Sequence, residues 1–86
     1  MDLIKVSSQS RTASVAGAIA GSIRENGKVE IQTIGAGSLN QAMKALVLAR
    51  RYLQEDGIDA IFYPEFVDLD FDGRPVTAIK IIVEPR

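Results

Sequence analysis

The amino-acid sequence predicts an α+β fold, a two-layer βαβαββ sandwich in which two helices cover one face of a four-stranded mixed sheet. Two segments place apolar residues at the 3.6-residue spacing of amphipathic helices, and four segments have the alternating or β-branched pattern typical of strands. Three Xaa-Gly pairs stand where one pattern stops and the next starts: Asn26-Gly27, Asp56-Gly57 and Asp72-Gly73.

The first half of the chain supplies a strand, a helix and a second strand. Branched aliphatic residues predict a strand over residues 2–7, and the polar residues 7–11 predict a loop. Thr12 or Ser14 is suited to cap a helix over residues 13–26. Its predicted apolar face consists of Val15, Ala16, Ile19, Ala20 and Ile23. Residues 28–34 alternate with a period of two, which predicts a half-buried strand.

The second helix begins with the sharpest local signal in the sequence. After the glycine that ends the second strand, Ser38 as N-cap and Gln41 three residues later form a capping box. The helix is expected to end at Asp56-Gly57. Its predicted buried residues are Leu39, Ala42, Met43, Leu46, Ala49 and Leu53.

The last third of the chain predicts an antiparallel hairpin. Residues 58–71 and 76–84 are rich in β-branched and aromatic side chains, and Asp72-Gly73 between them suits a tight turn. Pro64 cannot donate a ladder hydrogen bond, so the third strand is expected at the edge of the sheet or bulged at this residue.

Composition excludes several classes of protein. With 86 residues the chain is expected to form a single domain over residues 1–86. It has no cysteine and no histidine, so thiolate metal sites and the commonest general base are excluded. No nucleophile and base form an identifiable pair, so we predict no enzyme, no catalytic residue and no cofactor. The N-terminus has no secretory pattern and no apolar run is long enough to span a membrane, which favours a cytoplasmic protein without a membrane partner.

The formal net charge of -1 hides an asymmetry along the chain. Up to Leu53 seven basic residues face three acidic ones, and from Gln54 onward three basic residues face eight acidic ones, so the two parts carry +4 and -5. This asymmetry favours either a local phosphate-binding face or head-to-tail association of like molecules. Scattered solubilising charge is the alternative interpretation.

Two motifs suggest ligands. Asp68, Asp70, Asp72 and Gly73 match the opening of a calcium-binding loop, but its twelfth position is Ile79 rather than glutamate, so we predict no metal site and interpret the carboxylates as a polar strand face. The segment Gly35–Ser38 combines glycines with the start of a helix, which suits an anion. A plain capped turn explains the same residues.

Four strings closely resemble the bacterial stage V sporulation protein S family. They are VAGAIAG at residues 15–21, IGAG at 34–37, LNQA at 39–42 and TAIKIIVEPR at 77–86. The resemblance covers essentially the whole chain. The resemblance implies a small bacterial cytoplasmic protein with an Alba-like fold, linked to spore development and septation.

The similarity to the wider Alba superfamily, whose dimers bind DNA or RNA, implies a nucleic-acid surface formed by residues 7–11, 35–41 and 70–75. The paired lysines of archaeal Alba's first loop correspond here to Ser8 and Gln9, and the arginines of its second loop to Gly35 and Gly37. With those cations missing, binding is expected to be weaker and less sensitive to salt. The implied nucleic-acid-binding residues are Ser8, Gln9, Arg11, Gly35, Gly37, Ser38, Asn40, Gln41, Lys44 and Arg74.

Three functions remain open at the level of sequence. The leading hypothesis is a non-enzymatic homodimer that binds nucleic acid weakly through those loops, with unpaired bases among its targets. The alternative is a protein-interaction module that assembles into homodimers or larger oligomers through Val47, Leu48 and the open face of the sheet. The third is an anion or small-ligand binder at residues 35–38.

Overall fold

A computed structural model describes residues 2–86 and contains the predicted elements in the predicted order, which confirms the α+β fold class. The elements are β1 (Asp2–Val6), α1 (Thr12–Asn26), β2 (Val29–Thr33), α2 (Ala36–Glu55), β3 (Ala60–Phe71) and β4 (Arg74–Pro85).

The four strands form one mixed sheet in the order β1-β2-β4-β3. β1 and β2 are parallel, whereas β4 is antiparallel to both of its neighbours. β3 is an edge strand, as Pro64 predicted, and its pairing with β4 is continuous from Ala60 to Phe71. An edge strand tolerates proline because one of its sides has no ladder hydrogen bonds to lose.

Both helices pack on one face of the sheet and enclose the core. The largest fully buried side chains are Ile19, Ile31, Leu46, Leu53, Ile81, Val29, Val83 and Thr33. On α2 the predicted buried stripe is wrong at Met43, which is 41% exposed, while Ala45 is fully buried. Met43 faces Phe62 and Pro64 at the β3 edge, where the sheet ends before it covers the whole helix.

The predicted N-caps are wrong at both helices, whereas α1 and α2 end at Gly27 and Asp56, where the sequence predicted their ends. The N-cap residues are Arg11 and Gly35, and neither makes a side-chain cap hydrogen bond. Gly35 has φ +87° and ψ 164°, a conformation that glycine adopts without strain. This N-cap lies three residues before Ser38, the predicted one. The Ser38 hydroxyl instead donates to the carbonyls of Ile34 and Gly35, at 2.7 and 3.0 Å.

The β3–β4 hairpin is longer than the rest of the sheet. Its turn has φ +53° at Asp72 and +80° at Gly73, the two positive angles of the tight turn that the sequence predicted. β2 pairs with β4 only at residues 79–83, with Thr33 opposite Ile79. The hairpin arm, residues 67–78, therefore projects past the carboxyl ends of β1 and β2 and lengthens the molecule to 44 Å.

Candidate nucleic-acid interface

The three segments implied in nucleic-acid binding lie at one edge of the molecule. β1 and β2 are parallel neighbours, so their carboxyl ends and the loops that follow them lie at the same edge of the sheet. The hairpin arm projects past that edge. We call residues 7–11 and 34–41, together with the tip of the arm at 70–75, the loop edge.

The two strand-to-helix loops contact each other through a hydrogen bond and close packing. The Gln41 side-chain amide donates to the Ser10 carbonyl at 2.8 Å. Gly37 is so close to the first loop that an added Cβ would lie 2.9 Å from the Ser8 Cβ. Within the first loop, the Ser10 amide donates to the Ser7 carbonyl at 3.1 Å, and the Ser7 amide donates to the Ser10 hydroxyl at 2.9 Å. These contacts make the first and second loops one surface.

Both helices present open N-termini at the loop edge. The first backbone bonds run from Val15 to Arg11 and from Leu39 to Gly35, so the amides of residues 12–14 and 36–38 find no acceptor among residues 2–86. Neither first turn contains an acidic residue. The partial positive charge of each helix end is therefore not neutralised by a neighbouring carboxylate.

Most of the paired basic residues lie at the opposite edge of the molecule, where β1 and β2 begin. Their ion pairs there are Arg24 with Asp56 at 2.6 Å, Lys28 with Glu84 at 3.5 Å, and Arg86 and Arg50 with Asp59 at 2.8 and 3.7 Å. A fifth pair joins Lys80 and Glu65 at 3.4 Å on the sheet. These cations are already matched by carboxylates.

The remaining basic residues make no ion pair within residues 2–86. They are Lys5, Arg11, Lys44, Arg51 and Arg74. Lys5 is next to the last residue of β1, Arg11 is the α1 N-cap, and Arg74 is at the tip of the arm. Lys44 lies on α2 within reach of the second loop, where its amine donates to the Gln41 side-chain oxygen at 3.2 Å. All but Arg51 thus lie at or beside the loop edge.

The predicted binding residues differ in what they expose. Ser38 is only 4% exposed and its hydroxyl points inward, so only its backbone N–H remains for a ligand. Gln41 is half-buried and holds the first loop. The others are exposed at the loop edge or beside it: Ser8, Gln9, Arg11, Gly35, Gly37, Asn40, Lys44 and Arg74.

Sequence reasoning missed Lys5, Gln32 and Phe71. With Ser8 they line an open pocket on the sheet face away from the helices. Strand alternation offered a signal for Lys5, because Ile4 and Val6 on either side of it point toward the helices. Nothing local indicated that Phe71, some forty residues from Gln32 in sequence, would come near it.

The hairpin arm carries negative charge into this edge. Asp68 accepts a hydrogen bond from the Thr77 hydroxyl at 3.3 Å across the hairpin, and Asp70 and Asp72 are exposed near the tip. Within the part of the chain that the structure describes, no three acidic side chains are grouped closely enough to hold a metal ion. The tip of the arm is therefore negatively charged.

An apolar groove lies on the other side of the sheet, between α2 and β3. Its lining residues are Leu39, Met43, Phe62, Pro64, Ile79 and Ile81, around a volume of about 370 Å³. Phe66, on the same face of β3 as Pro64, is 80% exposed. Of the two predicted interface residues, Val47 is 52% exposed, whereas Leu48 is half-buried and packs against the core.

Comparisons with known proteins bear on the whole chain. The model of the family described as stage V sporulation protein S matches residues 2–86. Among solved structures, Alba from Thermoplasma volcanium superimposes with a TM-score of 0.64 at 18% sequence identity, over 95% of this chain and 98% of that one. At this identity the likeness shows a shared fold. Within residues 2–86, neither helix is both long and apolar enough to cross a membrane.

Proposed function

The chain belongs to the stage V sporulation protein S family, and on this premise we propose that it is a non-enzymatic, cytoplasmic homodimer that binds nucleic acid through the loop edge. The family name connects it to sporulation, and the proposal places its action on nucleic acid in that process and in septation. The similarity to an Alba structure supports a single Alba-like domain as the binding unit.

The observation that carries the proposal is the separation of paired from unpaired cations. Arg24, Lys28 and Arg86 are matched by carboxylates at one edge, whereas Arg11 and Lys44 have no carboxylate partner at the other. Two helix N-termini free of acidic residues add partial positive charge to the same edge. A net charge of -1 therefore coexists with a surface suited to phosphates.

The same surface limits the affinity. With Arg11, Lys44 and Arg74 as the phosphate contacts, the slope of log affinity against log salt would be about -3 for duplex DNA. Asp70 and Asp72 on the arm repel the phosphates that Arg74 attracts. Binding is thus expected to be weak, and to be measurable mainly at low salt.

Charge reversal at the two edges tests the proposal. We would measure fluorescence anisotropy of labelled single- and double-stranded DNA and RNA with Arg11→Glu and Lys44→Glu, and with Arg24→Glu as the charge-matched control. The first two variants should lose about tenfold in affinity, because each removes a phosphate contact and adds repulsion. Absence of wild-type binding at low salt, or an equal loss in the control, would contradict the proposal.

The homodimer is supported by the apolar groove and its charges. In the monomer, Met43 in the groove and Phe66 beside it leave apolar surface exposed to water. Arg51, which has no ion pair within residues 2–86, lines a neighbouring cleft on α2 together with Phe62. Asp68 follows Pro64 and Phe66 on the helix side of β3. A two-fold axis that places α2 of one protomer against β3 of the other would bring these opposite charges together. A strictly monomeric species in sedimentation equilibrium would exclude this arrangement.

A protein-assembly module is the second candidate function, and the 80% exposure of Phe66 is the observation that favours it. In that case the groove would be the functional surface and the loop edge would have no ligand. Oligomers that persist at high salt, together with no binding of any oligonucleotide at low salt, would show that the protein acts as an assembly module.

A further inference from the structure

An open pocket of about 320 Å³ adjoins the loop edge on the sheet face that the helices leave uncovered. Lys5, Gln32 and Phe71 line it from three different strands, and Ser8 and Ile34 line it from the two loops. Lys5 and Gln32 are directly opposite each other in the β1–β2 register. The pocket therefore joins the first loop to the open sheet surface.

Its lining combines an aromatic ring with polar groups that have no partner of their own. Phe71 is 49% exposed and Ile34 is 41% exposed, so both offer apolar surface to a ligand. The side chain of Gln32 makes no hydrogen bond within residues 2–86, and its amide has both donors and an acceptor. Lys5 has no ion pair within the described chain, and none of the lining residues is acidic.

We propose that this pocket binds one unpaired nucleobase, stacked against Phe71 and hydrogen-bonded to Gln32, with Lys5 on the adjoining phosphate. The flat face of a base would stack on the phenyl ring, its polar edge would hydrogen-bond to the side-chain amide, and its phosphate would lie beside the ammonium group. A base inside a duplex cannot occupy the pocket, because both of its faces are stacked on neighbouring bases. The ligand is therefore a single-stranded segment of DNA or RNA.

The inference deepens the proposed function and rests on it. The first loop connects the pocket to Arg11. Asp68 and Asp70 on the arm point to the helix side of the sheet, whereas the pocket lies on the other side. A strand held by the loop edge would therefore reach Phe71 without crossing the acidic face of the arm. The proposal accordingly predicts that single strands bind more tightly than duplexes of the same sequence.

The test uses oligonucleotides that contain 2-aminopurine, whose fluorescence reports stacking. The chain has no tryptophan, so this probe can be excited without emission from the protein. The variant is Phe71→Ala, and the matched control is Tyr63→Ala, an aromatic residue 37% exposed on the same face of the same strand but outside the pocket. Single-stranded DNA and RNA and a DNA duplex are titrated in parallel.

We expect Phe71→Ala to weaken single-strand binding by roughly five- to a hundredfold, the range measured for stacking aromatics, and to abolish the fluorescence change on binding. Tyr63→Ala should alter neither and should leave duplex affinity unchanged, whereas Phe71→Ala should lower single-strand affinity more than duplex affinity. Should Phe71→Ala fail to fold, Phe71→Leu keeps an apolar side chain without a stacking surface and should show the same loss.

Two results separate this inference from the proposed function. Single-strand affinity and fluorescence change that survive in the Phe71 variants, or that fall equally in Tyr63→Ala, overturn the nucleobase pocket while leaving binding at the loop edge intact. Wild-type protein that binds neither single strands nor duplex at low salt overturns both.

Discussion

Gly37 and Ser8 are in such close contact that a Cβ added at Gly37 would lie 2.9 Å from the Ser8 Cβ. Gly37 is in the first turn of α2, where alanine would ordinarily stabilise the helix by about 1 kcal/mol. Glycine is therefore needed at this position because the two loops approach each other closely, and not because the backbone adopts an unusual angle.

Gly37→Ala is accordingly expected to leave the free energy of unfolding no higher than that of the wild type, because displacement of the first loop cancels the helix gain. Gly17→Ala is the control, since Gly17 is also helical but has nothing within 4 Å of an added Cβ, and it should gain roughly 0.5–1 kcal/mol. Urea unfolding measures both. The double variant Ser8→Gly, Gly37→Ala should recover the gain; if it does not, the contact with Ser8 is not the cause.

Gln41 should matter to the order of the first loop more than to contact with a ligand. Its amide donates to the Ser10 carbonyl at 2.8 Å from a half-buried position, so Gln41→Ala should cost about 1 kcal/mol of stability. Hydrogen exchange at the amides of residues 7–11 should become faster. Asn40→Ala, at an exposed neighbour whose side chain makes no hydrogen bond in residues 2–86, should do neither. Equal effects in the two variants would show that the Gln41–Ser10 hydrogen bond is not what orders the loop.

The sequence was sufficient to predict the order of the elements, because the spacing of apolar residues differs between helices and strands. Helix α1 buries Ala16, Ile19, Ala20 and Ile23, four of the five residues that the 3.6-residue spacing selected, and the fifth, Val15, packs half-buried against the core. The start of α2 could not be predicted in the same way. Ser38 and Gln41 have the spacing of a capping box, but Gly35 adopts a positive φ and starts the helix earlier, and no side chain marks that choice.

The candidate site was partly predictable for a related reason. Its loops follow from the strand order, since the residues after two parallel neighbouring strands must share an edge. The distinction between Arg24, which is paired with Asp56, and Arg11, which has no ion pair in residues 2–86, depends on contacts between residues far apart in sequence. For the same reason Phe71 was not recognised as a neighbour of Lys5.

Removal of a carboxylate from the tip of the hairpin should raise affinity for nucleic acid. Asp72 has φ +53°, an angle that asparagine adopts readily, so Asp72→Asn keeps the turn while it removes one repulsive charge. We expect affinity for duplex DNA to rise by roughly twofold or more at low salt, and the gain to shrink as salt is added. Glu55→Gln, which removes an exposed charge at the opposite edge, is the control. A gain of the same size in Glu55→Gln would indicate a general charge effect.

Val47 and Leu48 should respond differently to the same substitution, although both were predicted at an oligomer interface. Leu48 packs against the core, so Leu48→Asp should lower the free energy of unfolding by about 1–3 kcal/mol. Val47 is 52% exposed and borders a cleft that Arg51 and Phe62 also line, so Val47→Asp should leave the fold intact and shift the dimer toward monomer. Sedimentation equilibrium measures the shift and urea unfolding the stability. A folded Val47→Asp variant with undiminished self-association would place the contact between protomers elsewhere, because the substitution removes apolar contact surface from this cleft.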